Sequence, residues 1–163
     1  MKVIEEVVED IKLNVVCTLM AMQYSDNDRV LITPLRTVVS DEDKDIDLSI
    51  LVIMRQTKPL PYEIAIRLAK VKQDKEKRYK SIKLGTFSLD NKINLEAFTE
   101  KDDSFSDSQE KKMSEDKYER TYFRYNIKGI PTEGTGDYCL YISYSDSQMK
   151  TDYIIDRVYF KIV

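Results

Sequence analysis

The first apolar positions recur at helical spacing. Val3, Ile4, Val7, Val8 and Ile11 share one side of the period, with Glu5, Glu6 and Glu9 between them, which predicts a short amphipathic N-terminal helix. The next run, LNVVCTLMAM from Leu13 to Met22, is almost wholly apolar and rich in β-branched residues. It reads as a strand buried on both faces, with continued helix the alternative that periodicity alone leaves open. The polar cluster YSDNDR ends it.

Further along, the period changes to two. VLITPLRTVV over residues 30–39 carries Pro34 in its middle, and because proline donates no ladder hydrogen bond it reads as an edge strand or two short strands around a bulge. DLSILVIMR sets Leu48, Ile50, Val52 and Met54 on one face, and YEIAIRLAKV alternates Tyr62, Ile64, Ile66 and Leu68 with Glu63, Ala65, Arg67 and Ala69. The two prolines of QTKPLP between them predict a turn joining neighbouring antiparallel strands. IKLGTFSL and INLEAF give shorter strands. Three more close the chain, phased on Phe123, Tyr125 and Ile127, on Tyr138, Leu140, Ile142 and Tyr144, and on Ile154, Val158, Phe160 and Ile162, the last face interrupted by Asp156.

Seven or eight strands without a repeating strand–helix alternation predict an all-β fold, an antiparallel two-sheet β-sandwich of immunoglobulin-like or Greek-key type. A chain of 163 residues suits one such domain over 1–163. The stretch 99–119 is nearly devoid of aliphatics and dense in Asp, Glu, Ser and Lys, the composition of a mobile charged insertion.

Composition narrows the chemistry. A net charge of −3 argues against general electrostatic binding to nucleic acid or anionic membrane. Two cysteines, Cys17 and Cys139, make no disulfide framework, the N-terminus has no uninterrupted apolar signal segment, and no window is long and apolar enough to span a bilayer; the expectation is a reduced, cytoplasmic protein. The chain contains no histidine, which excludes His-dependent triads, Cys–His dyads and His-ligated metals. Isolated carboxylates such as Glu63 and Asp156 remain as an enzyme's raw material, a third reading that would need them to converge in a pocket.

The glycine-rich stretch GIPTEGTGDYCLYISY matches neither phosphate-loop pattern: no lysine follows Gly136, and the alternation after it continues as strand, with no helix N-terminus to meet an anion. It reads as a turn between antiparallel strands. GDYCLYI resembles the penultimate strand of immunoglobulin-like sandwiches, a likeness that covers about one strand and implies a generic sandwich. In antibody-type domains the corner tyrosine sits two residues before the cysteine; here Tyr138 and Cys139 are adjacent and point to opposite faces, so Cys139 faces outward and makes no inter-sheet bridge. Asp41, Asp43, Asp45 and Asp47 have a D-x-D-x-D spacing, but Ile46 and Val52 stand where a calcium loop needs glycine and glutamate. The reading is a solvated acidic loop, with no metal and no cofactor.

Two surfaces remain. Lys70, Lys72, Lys75, Lys77, Arg78, Lys80 and Lys83 cluster in a loop over residues 70–83 with Tyr79 among them, a set that could neutralise phosphates while the ring stacks on a base; lysines guarding a hairpin tip are the alternative. Tyrosines concentrate toward the C-terminus, and alternation sends Tyr122, Tyr141, Tyr153 and Tyr159 to the face opposite their strands' aliphatics, a stripe suited to binding protein. The functional expectation is therefore a non-catalytic cytoplasmic module binding another protein through this tyrosine-rich face or its loops, with nucleic-acid binding by the lysine segment as the alternative.

Overall fold

The computed structural model describes residues 3–23, 37–38, 45–71, 81–88, 93–95 and 119–163. Helix α1 spans Ile4–Asn14; the strands are β1 Val15–Gln23, β2 Thr37–Val38, β3 Asp45–Gln56, β4 Glu63–Lys70, β5 Ser81–Ser88, β6 Ile93–Leu95, β7 Glu119–Pro131, β8 Gly136–Tyr144 and β9 Tyr153–Ile162. They form two sheets, ordered β1-β3-β7 and β2-β9-β8-β4-β5-β6. The all-β two-sheet sandwich is thus the observed architecture. Of the lysine-rich loop expected over 70–83, residues 72–80 lie outside the described residues, whereas Lys70 ends β4 and Lys83 lies within β5; Pro34, Asp41, Asp43 and the stretch 99–118 also lie outside them.

Alternation builds the core. Leu48, Ile50 and Val52 of β3 face Ile64, Ile66 and Leu68 of β4 and Tyr138, Leu140 and Ile142 of β8 as one buried cluster, joined by Leu84, Ile127, Phe160 and Ile162. Each such side chain contributes roughly 1.5–3 kcal/mol by leaving water. Helix α1 adds Val7 and Ile11 to the same cluster. Glu5 and Glu6 in its first turn and Lys12 in its last complement the helix dipole. At its C-terminal end, Asn14 Nδ2 donates to the Asp10 carbonyl at 2.8 Å, Lys58 pairs with Asp10 at 3.2 Å, and the Tyr62 hydroxyl donates to the same carboxylate at 3.2 Å. The helix is thereby pinned to the segment between β3 and β4.

Three expectations need correction. Strand β1 is buried on one face only: Leu13 belongs to the helix and is exposed, and so is Val16, because β1 borders a sheet whose other face is turned away from the core. QTKPLP does not join neighbouring strands, since β3 and β4 belong to different sheets; its Leu60 is buried in the core as the chain crosses. GIPTEGTG likewise crosses between sheets, from β7 to β8. Strand β2 pairs with β9 in parallel, Thr37 with Lys161 and Val38 with Ile162, the one non-antiparallel pairing among the described strands.

Candidate functional site

The glycine stretch is a structural corner. Gly134 has φ +87° and Gly136 φ +143°, conformations that favour glycine. Strand β8 starts at Gly136, so no helix follows. Tyr138 closes the turn: its hydroxyl donates to the Gly134 carbonyl at 2.6 Å and accepts from the Glu133 N–H at 3.0 Å, while its ring stacks on Phe160 at 5.9 Å. Lys70 Nζ donates to the Glu133 carbonyl at 3.1 Å. The backbone groups of Glu133 and Gly134 are thus turned on the protein itself.

The acidic candidates are likewise structural. Asp47 Oδ1 accepts from the Gly129 N–H at 2.8 Å, tying β3 to β7. Glu63 is exposed on the outer side of β4, whereas Asp156 pairs across from buried Ile142 and reaches β1. They lie on opposite faces of one sheet and form no catalytic pair. Both cysteines are free, and burial pushes the Cys17 thiol up to about 12 and the Cys139 thiol up to about 11.

The four candidate tyrosines do not make one surface. Tyr122 sits in the three-stranded sheet, in register with Ile53. Tyr141 and Tyr159 lie on the outer face of the six-stranded sheet, where Tyr159 pairs across from Cys139. Tyr153 pairs with Tyr144 and packs against the core. A bulge between Ile142 and Ser143 explains the reversal: one extra residue on β9 changes the phase, turning Tyr153 inward and Ile154 outward.

Tyr141 has the expected face but not the expected exposure. It is 7% exposed and forms a second small cluster with Ala69, Cys139 and half-buried Val71. Its hydroxyl donates to Asp152 Oδ2 at 3.3 Å. Desolvation, reinforced by the Asp152 charge, raises its pKa. Tyr159, by contrast, is 57% exposed and carries the Arg157 guanidinium 5.5 Å from its ring centroid.

Around Tyr141 the register assembles a row that no single segment displays. Arg157 on β9 pairs with Tyr141 on β8, Tyr141 with Arg67 on β4, and Arg67 with Lys83 on β5. Arg67 Nε lies 3.9 Å from Asp152 Oδ2, and its Nη1 reaches Ser81 Oγ at 3.5 Å. The buried atoms Arg67 Nε and Ser143 Oγ, both on this outer face, make no hydrogen bond among the described residues. Arg67, Arg157 and Asp152 were missed as site residues because each occupies an ordinary polar position of its own segment, and only pairing brings them together. Compared with known proteins, this chain matches no family model and no curated sequence.

Proposed function

We propose that this chain is a non-catalytic cytoplasmic interaction module, an immunoglobulin-like sandwich that binds another protein through the outer face of its six-stranded sheet. The observation that carries the reading is the exposed Tyr159 with Arg157 stacked over it. Tyrosine and arginine dominate the centres of protein interfaces, because both bury large area while keeping directional polar contacts. Strand β9 holds this pair on the side of the sheet away from the core, so its role is not packing within the sandwich.

The thiols support the non-catalytic part. With pKa values pushed up to about 12 and about 11, neither Cys17 nor Cys139 supplies a thiolate nucleophile at neutral pH. Two unpaired cysteines suit a reducing compartment.

The test is affinity capture from a cytosolic extract with the immobilised chain and with Tyr159→Ser. The wild type should retain a protein that the variant loses. Equal retention by both sinks the assignment of this face, and retention abolished by nuclease moves the function to nucleic acid and to the segment carrying Lys72, Lys75, Lys77, Arg78, Tyr79 and Lys80.

A further inference from the structure

The row Arg157, Tyr141, Arg67, Lys83 crosses four neighbouring strands, a span of about 14 Å at the usual strand spacing. Arg67 and Lys83 stand directly opposite one another, which sets two cations side by side within the row. Asp152 approaches Arg67 from one side and is shared with the Tyr141 hydroxyl.

Among the described residues, the remaining acids on this face lie away from the middle of the row. Asp137 pairs with Lys161 at one end of the face, and Glu63 pairs with Ser88 at the other. This arrangement, cations across the middle and carboxylates at the ends and beside Arg67, suits a short run of negative charge and disfavours a continuous polyanion. Beside the row, Tyr159 and Ile154 are exposed apolar side chains of the same face.

We infer that this row docks an acidic peptide segment of a partner protein, its carboxylates seated among Arg157, Arg67 and Lys83 and its apolar side chains against Tyr159 and Ile154. The inference rests on the interaction-module reading and names the chemistry of the partner.

Fluorescence anisotropy at low salt tests it, using a short labelled peptide of alternating Glu and Tyr, a Lys/Tyr peptide of equal length, and an oligothymidylate. The acidic peptide should bind, with affinity falling as salt rises. The double substitution Arg157→Ser and Lys83→Ser should weaken it about five- to tenfold, as expected for losing two partly solvated charge contacts. Lys12→Ser on the helix should leave it unchanged. Both substituted side chains of the double variant are exposed, so its melting curve should match the wild type.

Failure of the acidic peptide to bind, equal binding of the Lys/Tyr peptide, tighter binding of the oligothymidylate, or an unchanged affinity in the double variant each overturns the inference. So does self-association of the chain that occludes the peptide, because the face would then serve a second copy. If extract capture depends on Tyr159 while the acidic peptide fails to bind, the module reading survives and the acidic specificity falls.

Discussion

Asp156 on β9 reaches across to the other sheet, where its Oδ2 accepts a hydrogen bond from the Leu19 N–H at 2.6 Å. Leu19 belongs to β1, at the end of the three-stranded order. The acid that interrupts the apolar phase of the last strand therefore serves an outward-pointing backbone donor of a neighbouring sheet, in keeping with the rule that buried backbone groups find partners.

Removing that carboxylate leaves the Leu19 N–H unsatisfied. Asp156→Ala is expected to destabilise the fold by about 1–3 kcal/mol, and Asp156→Asn by less, because its amide oxygen still accepts. Urea denaturation with the slope held in common measures both. A loss in the alanine variant no larger than in the asparagine variant would contradict this role.

Tyr141 and Tyr159 share a strand pair and a sheet face but should respond in opposite ways. Tyr141 is buried, so Tyr141→Ala should cost about 3 kcal/mol through the cavity it opens. Tyr141→Phe should lose only about 1 kcal/mol, for the bond to Asp152. Tyr159→Ser should stay within about 0.5 kcal/mol of the wild type. Thermal melts of the three variants rank them, and a large loss at Tyr159 would place that ring in the packing instead of on a binding surface.

The thiols set a pH window. Cys17 is raised by desolvation first and by the Asp156 charge second, from 9.0 to about 12. Below pH 9 the thiol is protonated in the folded and unfolded chains alike, and stability is independent of it. As pH rises past 9 the unfolded chain releases the proton and the folded chain keeps it, so stability falls by at most about 1.4 kcal/mol per pH unit for each such group. The loss levels off only where the folded thiol itself ionises. Between pH 9 and 10, below the ordinary tyrosine value of 10.0, chemical denaturation of Cys17→Ala should show a shallower decline than the wild type. Parallel declines would remove Cys17 from the linkage.

How far these relationships were legible in the sequence depends on whether they run along a strand or across strands. The faces of β3 and β8 follow from alternation, because Leu48, Ile50 and Val52, like Leu140 and Ile142, need only the two-residue period to share a side. Tyr153 and Tyr159 are an even number of residues apart and still face opposite ways, since one bulge opposite Ile142 and Ser143 shifts the phase. The cationic row is farther from view. Arg67, Lys83, Tyr141 and Arg157 come from four segments, and their adjacency is fixed by register alone. The prolines of QTKPLP marked the end of β3 but not whether the chain would turn within a sheet or cross to the other. That choice is made by the burial of Leu60 between the layers.

Gly136 offers a test in which two causes can be separated. Its φ of +143° is rarely adopted by residues with a side chain, and a Cβ there would lie 2.9 Å from Lys70 Cε. The Lys70 contact involves the far end of a flexible side chain, so it can move aside with little loss beyond its bond to the Glu133 carbonyl. The backbone conformation cannot relax so easily, because Gly136 pairs with Ile162 and opens the strand whose Tyr138 closes the turn. Gly136→Ala is therefore expected to cost about 1–3 kcal/mol, and adding Lys70→Ala should recover little of it. Equilibrium denaturation of the single and double variants decides the matter: recovery of most of the loss in the double variant would assign the strain to the lysine instead of the backbone.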